Sequence, residues 1–349
     1  MSPAQTAIHQ ARAHLHAGKP QAAKDALLRA ARRFGSDPEV ILALLETLLA
    51  IGDAAAADFW ADRLIALIPS QPQGYQVKAH VLALSTKLPE AIAAYRAAIA
   101  HGGDNADTLR GLAWALHRDR QFSEVIAIAD RALALAPLDA DLIQKKAVAL
   151  LALGRIPEAA AAYQAGVERV PNSIALAEGH ALCTNYRSDL PQTAVRQAHE
   201  RFGHLLRAEA AQQSLPIAAA VGRSPGTRLR VGVLSPDLRK HSVAYYAESL
   251  LRHVDPAQIE LFAYHTSTRH DDMTERLHSI VGADRWRALG GADPASIAAA
   301  IRADDIRVLL ELSGLTNENN LPAVATRPAP VIATYIGYPN TTGLDTVDY

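Results

Sequence analysis

At 349 residues the chain is longer than one ordinary domain, so two bodies with separate cores are expected. Apolar residues make up 49%, charged residues 20% and aromatics only 5%, an alanine-rich balance that suits stacked helices better than a sandwich of strands. With 35 basic and 36 acidic side chains the formal net charge is -1, which gives no general attraction for nucleic acid or an acidic membrane.

The lone Cys183 excludes an internal disulfide framework and a cysteine-built zinc site, and it agrees with a reducing, cytoplasmic compartment. The stretch from Met1 to Pro20 never forms the apolar run of a signal peptide, and no segment approaches the roughly 18 apolar residues of a membrane span. A soluble chain is expected.

From the amino terminus, Gly18, Gly52 and Gly154 stand at multiples of 34 residues, with Thr86 and Arg120 at the two intermediate places. That is the tetratricopeptide period. Five residues after each comes Ala23, Ala57, Ala91, Val125 or Ala159, where two helices must approach closely. Ala30, Leu64, Ala98, Ala132 and Gly166 follow, and Gly35, Pro69, Gly103, Pro137 and Pro171 end each second helix. Large residues keep the register: Ile41, Tyr75, Leu109 and Ile143 at one first-helix position, and Leu48, Leu82, Leu116 and Leu150 at another. Such a unit cannot bury its apolar face alone, so residues 4–173 are expected to stack as five repeats in a right-handed solenoid with a concave, protein-binding face.

Residues 174–227 read as a helical connector, containing Cys183-Thr184-Asn185-Tyr186 and ending in the loop Gly222-Arg223-Ser224-Pro225-Gly226. Residues 228–349 then alternate short apolar runs with helical patterns. Strands are predicted at 229–235, 259–264, 307–312 and 331–336, with helices from Ser242, over 272–281 and over 294–303. This alternation implies a parallel, Rossmann-like sheet, with ligands beyond the carboxyl ends of its strands. The segments 236–241, 313–320 and 337–343 leave those ends and should share one rim. No G-x-G-x-x-G fingerprint, Walker lysine or H-E-x-x-H spacing occurs, which argues against a dinucleotide, P-loop or zincin site and favours a metal-free one.

Four motifs now stand in order behind the repeats: Val231-Gly232-Val233-Leu234-Ser235-Pro236-Asp237, His241-Ser242-Val243-Ala244-Tyr245, Arg327-Pro328-Ala329-Pro330 and Gly337-Tyr338-Pro339-Asn340-Thr341-Thr342-Gly343. Together they resemble the amino-terminal catalytic lobe of the O-GlcNAc transferase family. The last motif and His241-Ser242-Val243 are especially similar to its SPINDLY branch, whose plant members transfer fucose from GDP-fucose. The resemblance implies an α-solenoid followed by the first half of a GT-B glycosyltransferase. Its implied activity is inverting and metal-independent, moving GlcNAc from UDP-GlcNAc or fucose from GDP-fucose to Ser or Thr of proteins bound along the repeats. The nucleotide sugar is a substrate and no cofactor is implied. In the family the nucleotide is held mostly by a carboxyl-terminal lobe. The chain stops before that lobe and is expected to be inactive alone, as a fragment or a truncated gene.

By the same resemblance His241 is the active-site histidine of the first loop, and a histidine can accept or share a proton near neutrality. Asn340 stands where O-GlcNAc transferases usually carry glycine, and Thr341 and Thr342 would lie near the sugar and diphosphate. Pro236, Asp237, Ser313, Thr316, Tyr338 and Pro339 complete the implied donor- and acceptor-binding set. Leu315 departs from the pattern, since many relatives carry His or Tyr there and leucine cannot hydrogen bond. The asparagine ladder of the family's repeat groove is also missing, its places being taken by His9, Ala43, Val77, Gly111 and Lys145. Glu311 reads as a strand-end carboxylate bound by nearby backbone N–H groups, Arg327 as a residue fixing the last strand, and His265 and His270 as parts of a solvated loop. A second reading remains, a non-catalytic repeat scaffold carrying an incomplete half-site. A third, transfer to lipid or glycan acceptors, fits the protein-binding repeats less well.

Overall fold

The structure, a computed structural model, describes residues 1–212 and 228–349, so the loop expected at 222–226 lies outside the described residues. The chain divides into two compact units, Met1–Ala162 and Tyr163–Tyr349.

The first unit is the expected helical solenoid. Its helices come in pairs: α1 Pro3–His16 and α2 Pro20–Arg33, α3 Pro38–Ala50 and α4 Ala54–Leu67, α5 Pro72–Leu84 and α6 Leu88–Ala100, α7 Ala106–Arg118 and α8 Phe122–Leu135, then α9 Ala140–Ala152 and α10 Ile156–Arg169, the last running past the unit's end at Ala162. Asp37, Asn105 and Asp139 cap α3, α7 and α9 by accepting backbone N–H groups two or three residues on, and proline opens α1, α2, α3 and α5. The small residues Ala23, Ala57, Ala91, Val125 and Ala159 are wholly buried, as the close approach of paired helices demands. Tyr75 differs from its counterparts Ile41, Leu109 and Ile143. It is only half-buried, stacks on His101 at 4.8 Å between ring centroids and donates its hydroxyl to the Pro69 carbonyl at 3.1 Å.

The period also has a backbone cause. Gly18, Gly52 and Gly154 link the two helices of a pair with φ of 68°, 75° and 72°, and Thr86 and Arg120 adopt the same left-handed turn with φ of 58° and 62°. A side chain in this region costs about 1–2 kcal/mol. Thr86→Gly and Arg120→Gly are therefore expected to stabilise the repeats by ~1 kcal/mol each. The gain would appear as a higher denaturation midpoint in urea at unchanged m-value, and an unchanged or lower midpoint would refute the strain.

The helical register continues past residue 173. Ser173 caps α11 Ile174–Thr184 at the 34-residue spacing of Asp37, Asn105 and Asp139. An ideal Cβ on Gly179 would stand 2.3 Å from the Tyr163 ring, as one on Gly111 would stand 2.5 Å from the Tyr95 ring 68 positions earlier. A longer link then leads to α12 Gln192–Gln212, and these two helices belong to the second unit.

That unit continues with β1 Leu229–Ser235, α13 Ser242–His253, β2 Ile259–His265, α14 Asp272–Val281, β3 Trp286–Ala288, α15 Pro294–Ala303, β4 Val308–Glu311, α16 Leu321–Val324 and β5 Val331–Thr334. All pairings are parallel, in the order β3-β2-β1-β4-β5. β3 was not predicted. It has three residues, one of them Arg287, and rests on pairing with Ala263 to His265 of β2 rather than on an apolar run of its own. β5 stops two residues earlier than expected because Ile336 turns to φ 60°. One face of the sheet packs Val231, Val233, Leu261 and Ala263 against Ala244, Ala247 and Leu251 of α13 and Leu277 and Val281 of α14. Among the described residues no helix is long and apolar enough to cross a membrane.

Candidate active site

Strand order places the site. The chain runs outward from β1 through β2 to β3, then crosses to the other side of β1 for β4 and β5. The carboxyl ends of β1 and β4 therefore flank the switch point where open α/β sheets bind ligands. Leu234 of β1 lies beside Glu311 of β4, which lies beside Thr334 of β5. The three expected loops thus start level with one another.

In the first loop Pro236 and Asp237 are buried. The Asp237 N–H donates to Ser235 Oγ at 3.0 Å, and Arg239 donates to Asp237 Oδ1 at 3.1 Å. His241 caps α13: its Nδ1 accepts the Val243 N–H at 3.3 Å and stands 3.6 Å from Asp237 Oδ2, with the side chain 40% exposed. As long as Nδ1 accepts, the neutral ring carries its proton on Nε2 and offers a donor there. A small ring rotation giving Nδ1–H to Asp237 would leave Nε2 free to take a proton. The two tautomers suit different jobs on one hydroxyl, holding it or deprotonating it.

In the second loop the Glu311 carboxylate is wholly buried and accepts the Ser313 N–H at 2.7 Å and the Gly314 N–H at 2.8 Å, as the sequence suggests. Burial pushes its pKa up to about 7 against those hydrogen bonds. Ser313 is buried, and Thr316 donates its hydroxyl back to the Ser313 carbonyl at 2.8 Å. Leu315 is 2% exposed and so packs inward.

The third loop presents Pro339 and Thr341 to solvent, while Thr342 is 2% exposed and its Oγ1 accepts the Leu344 N–H at 3.4 Å. Thr341 Oγ1 accepts the Gly343 N–H at 3.1 Å, and Asn340 Oδ1 accepts the Thr341 N–H at 2.8 Å. Tyr338 turns its hydroxyl to His199 Nε2 at 2.8 Å and to Asn185 Nδ2 at 2.6 Å. Asn185 and His199 are residues that the sequence did not single out for the site. A cavity of about 300 Å³ lies beside this loop, lined by Asn185, Tyr186, Arg187, Gln192 and Asn340 among others.

Two further expectations resolve here. Arg327 holds Asp348 Oδ1 at 2.9 Å, the Pro330 carbonyl at 2.9 Å and the Thr346 carbonyl at 3.0 Å, and so fixes the approach to β5. His265 corrects the sequence reading. It is wholly buried, Nε2 meeting the Arg269 carbonyl at 3.1 Å, because its strand runs one residue longer than predicted; His270 is exposed.

On the repeats a separate cavity of about 390 Å³ is lined by Leu84, Tyr95, Gly111, Trp114, Asp107 and Asp141 among others. An ideal Cβ on Gly111 would stand 2.5 Å from Tyr95 Cζ, so an asparagine at this ladder place would displace the tyrosine.

In chain order a helical repeat solenoid leads into a parallel α/β lobe that carries this rim. Residues 211–349 match the model of Glycosyl transferase family 41, which makes this segment similar to the O-GlcNAc transferase and SPINDLY proteins. It is 41% identical over 129 residues to the probable UDP-N-acetylglucosamine–peptide N-acetylglucosaminyltransferase SPINDLY of Arabidopsis thaliana, covering 36% of this chain and 14% of that protein. The corresponding protein of Oryza sativa subsp. japonica is 34% identical over 190 residues, 54% of this chain and 20% of that protein. A solved mutant of the Thermobaculum terrenum O-GlcNAc transferase superposes with a TM-score of 0.61 at 26% identity, over 80% of this chain and 52% of that one. The chain thus spans between a seventh and a fifth of these curated relatives.

Proposed function

We propose that the full-length protein transfers a sugar from a nucleotide sugar, UDP-GlcNAc or GDP-fucose, to Ser or Thr hydroxyls of proteins docked on the repeats, in the cytoplasm. The observation that carries this reading is the arrangement of the 236–241, 313–320 and 337–343 loops along one switch-point rim in a chain that also bears the repeats. Transfer proceeds with inversion: the hydroxyl attacks the anomeric carbon as the nucleoside diphosphate departs, and no metal takes part. His241 meets the hydroxyl and holds or takes its proton through Nε2, while the exposed Thr341 hydroxyl and the backbone around it approach the sugar and diphosphate; Thr342, being buried, supports the turn from beneath. The donor's base and phosphates are read largely by a further lobe of the family fold, so this chain supplies acceptor docking and the acceptor-side half of the site.

The test is transfer of radiolabelled sugar from each donor into proteins of a cell lysate by the full-length protein. His241→Asn separates chemistry from folding, because asparagine is itself a good helix cap whereas alanine loses about 1 kcal/mol of capping. The variant is expected to keep its melting temperature and lose transfer by about a hundredfold or more. Label retained in the variant would remove His241 from the chemistry. No label from either donor with the unmodified protein would favour the non-catalytic scaffold.

A further inference from the structure

We propose that Asn185 and His199, on the two helices that precede the sheet, are positioning residues for the 337–343 rim loop, acting through Asn340 and Tyr338. The inference rests on the transferase reading only for its effect on activity; its structural part stands by itself.

The argument follows the direction of each hydrogen bond. His199 Nδ1 lies 2.8 Å from the Val195 carbonyl, which can only accept, so Nδ1 is the donor. The ring is wholly buried and burial lowers its pKa, so it is neutral and Nε2 carries a lone pair. The Tyr338 hydroxyl, 2.8 Å away, therefore gives its one proton to Nε2. Its oxygen accepts Asn185 Nδ2 at 2.6 Å, Asn185 Oδ1 accepts Asn340 Nδ2 at 2.9 Å, and Asn340 Oδ1 accepts the Thr341 N–H at 2.8 Å. From Thr341 to Val195 every donor meets an acceptor, and the chain has a single polarity that also fixes both amide orientations.

Two consequences follow for the site. The Tyr338 proton is committed inward, so this residue sets the loop's position rather than offering a donor to a ligand. Asn340, within the rim loop, is held by Asn185, and it in turn orients the Thr341 amide. Backbone contacts brace the same loop. An ideal Cβ on Gly343 would stand 1.9 Å from the His199 carbonyl oxygen, and one on Gly314 would stand 2.2 Å from Tyr338 Cβ. The second loop is tied to the same helices by Asn319 Nδ2, which donates to Glu178 Oε1 at 2.7 Å. Both rim loops therefore take their position from α11 and α12.

The test uses His199→Asn, which keeps a group near Nδ1 but removes the acceptor for Tyr338; His199→Gln, whose amide oxygen reaches towards the Nε2 place; Tyr338→Phe; and the His199→Asn, Tyr338→Phe double variant. Amide hydrogen exchange and steady-state sugar transfer are measured on the same full-length proteins. His199→Asn and Tyr338→Phe are expected to speed exchange at Thr341 and Gly343 about tenfold while β1 and β4 stay protected, with the double variant no worse than either single change. They should lower kcat about tenfold with the donor KM little changed, and His199→Gln should restore much of both.

Unchanged exchange at Thr341 and Gly343 overturns the proposal, as does a uniform rise across the sheet, which would mark a network of general stability only. Additive effects, or a loosened loop with kcat intact, overturn it equally. If the unmodified protein transfers no sugar from either donor, the transferase reading fails, and the exchange pattern alone decides whether the two helices hold the loop.

Discussion

Gly203→Ala is expected to destabilise the second unit by roughly 2–3 kcal/mol, the cost of forcing an atom into a closed contact. The sign is the informative part, because the same change inside an ordinary helix gains up to about 1 kcal/mol. Gly203 lies within α12, where an ideal Cβ would stand 1.9 Å from the Gly343 carbonyl oxygen and 2.4 Å from its carbon. Those neighbours are backbone, so no rotamer change relieves the overlap. Gly343 reciprocates with φ 73° and its own Cβ direction closed by the His199 carbonyl oxygen at 1.9 Å. Helix and rim loop thus touch backbone to backbone, and an added methyl must push one away from the other. Urea denaturation of the variant should show a lower midpoint, and exchange at Gly343 should rise first. A neutral or stabilising result would mean that the helix and the loop can separate without cost.

The contrast between this contact and the repeats explains what could be read in the sequence. Repeat register is local: the turn at residue 18, the small residue at 23 and the helix end near 33 recur every 34 residues, so five copies average out the exceptions at Thr86 and Arg120. The left-handed φ that those two residues share with the glycines is invisible in their side chains, although their place in the period implies it. β1 and β2 were legible because both are near-continuous apolar runs buried on both faces. β3 was not, since three residues around an arginine form a strand only when β2 is already in place.

The candidate site divides along the same line. His241 and the 337–343 loop carry family motifs in sequence, and a helix cap is a local event. The brace behind them joins Asn185 to Tyr338 and His199 to Tyr338 across separations of 153 and 139 residues, a juxtaposition no local pattern encodes. His265 looked solvated from its polar neighbours, yet it closes the end of β2 and is wholly buried. Glu311 is the opposite case: a glutamate ending an apolar strand has nowhere to go except back onto the backbone of the turn that follows.

That confinement gives the last prediction. With its carboxyl pushed up to about 7 from an ordinary value of 4.5, Glu311 in the folded chain keeps a proton that the unfolded chain has already released across that interval. The unfolded state then binds fewer protons, so stability contributed by this group is fully present below pH 4.5, falls as pH rises through that window and levels off above about 7. The total change is ~3 kcal/mol from the size of the displacement. Buried and half-buried histidines act in the other direction. Burial lowers the pKa values of His117, His180, His199 and His265, so their contribution is lost as pH falls. The wild-type profile sums both trends, and the difference between wild type and Glu311→Gln isolates the carboxyl. Glutamine keeps the shape and one acceptor for Ser313 or Gly314 but cannot ionise. The variant should be the less stable protein near pH 5, where the neutral carboxyl serves both N–H groups, and should gain on the wild type steadily towards pH 8. Unfolding free energies from urea titrations at several pH values measure this directly. Parallel curves would mean that the turn at Ser313 and Gly314 holds its carboxylate without a desolvation cost. A gap that narrows as pH rises would mean that a charge-sensitive anchor sits under the rim beside the switch point.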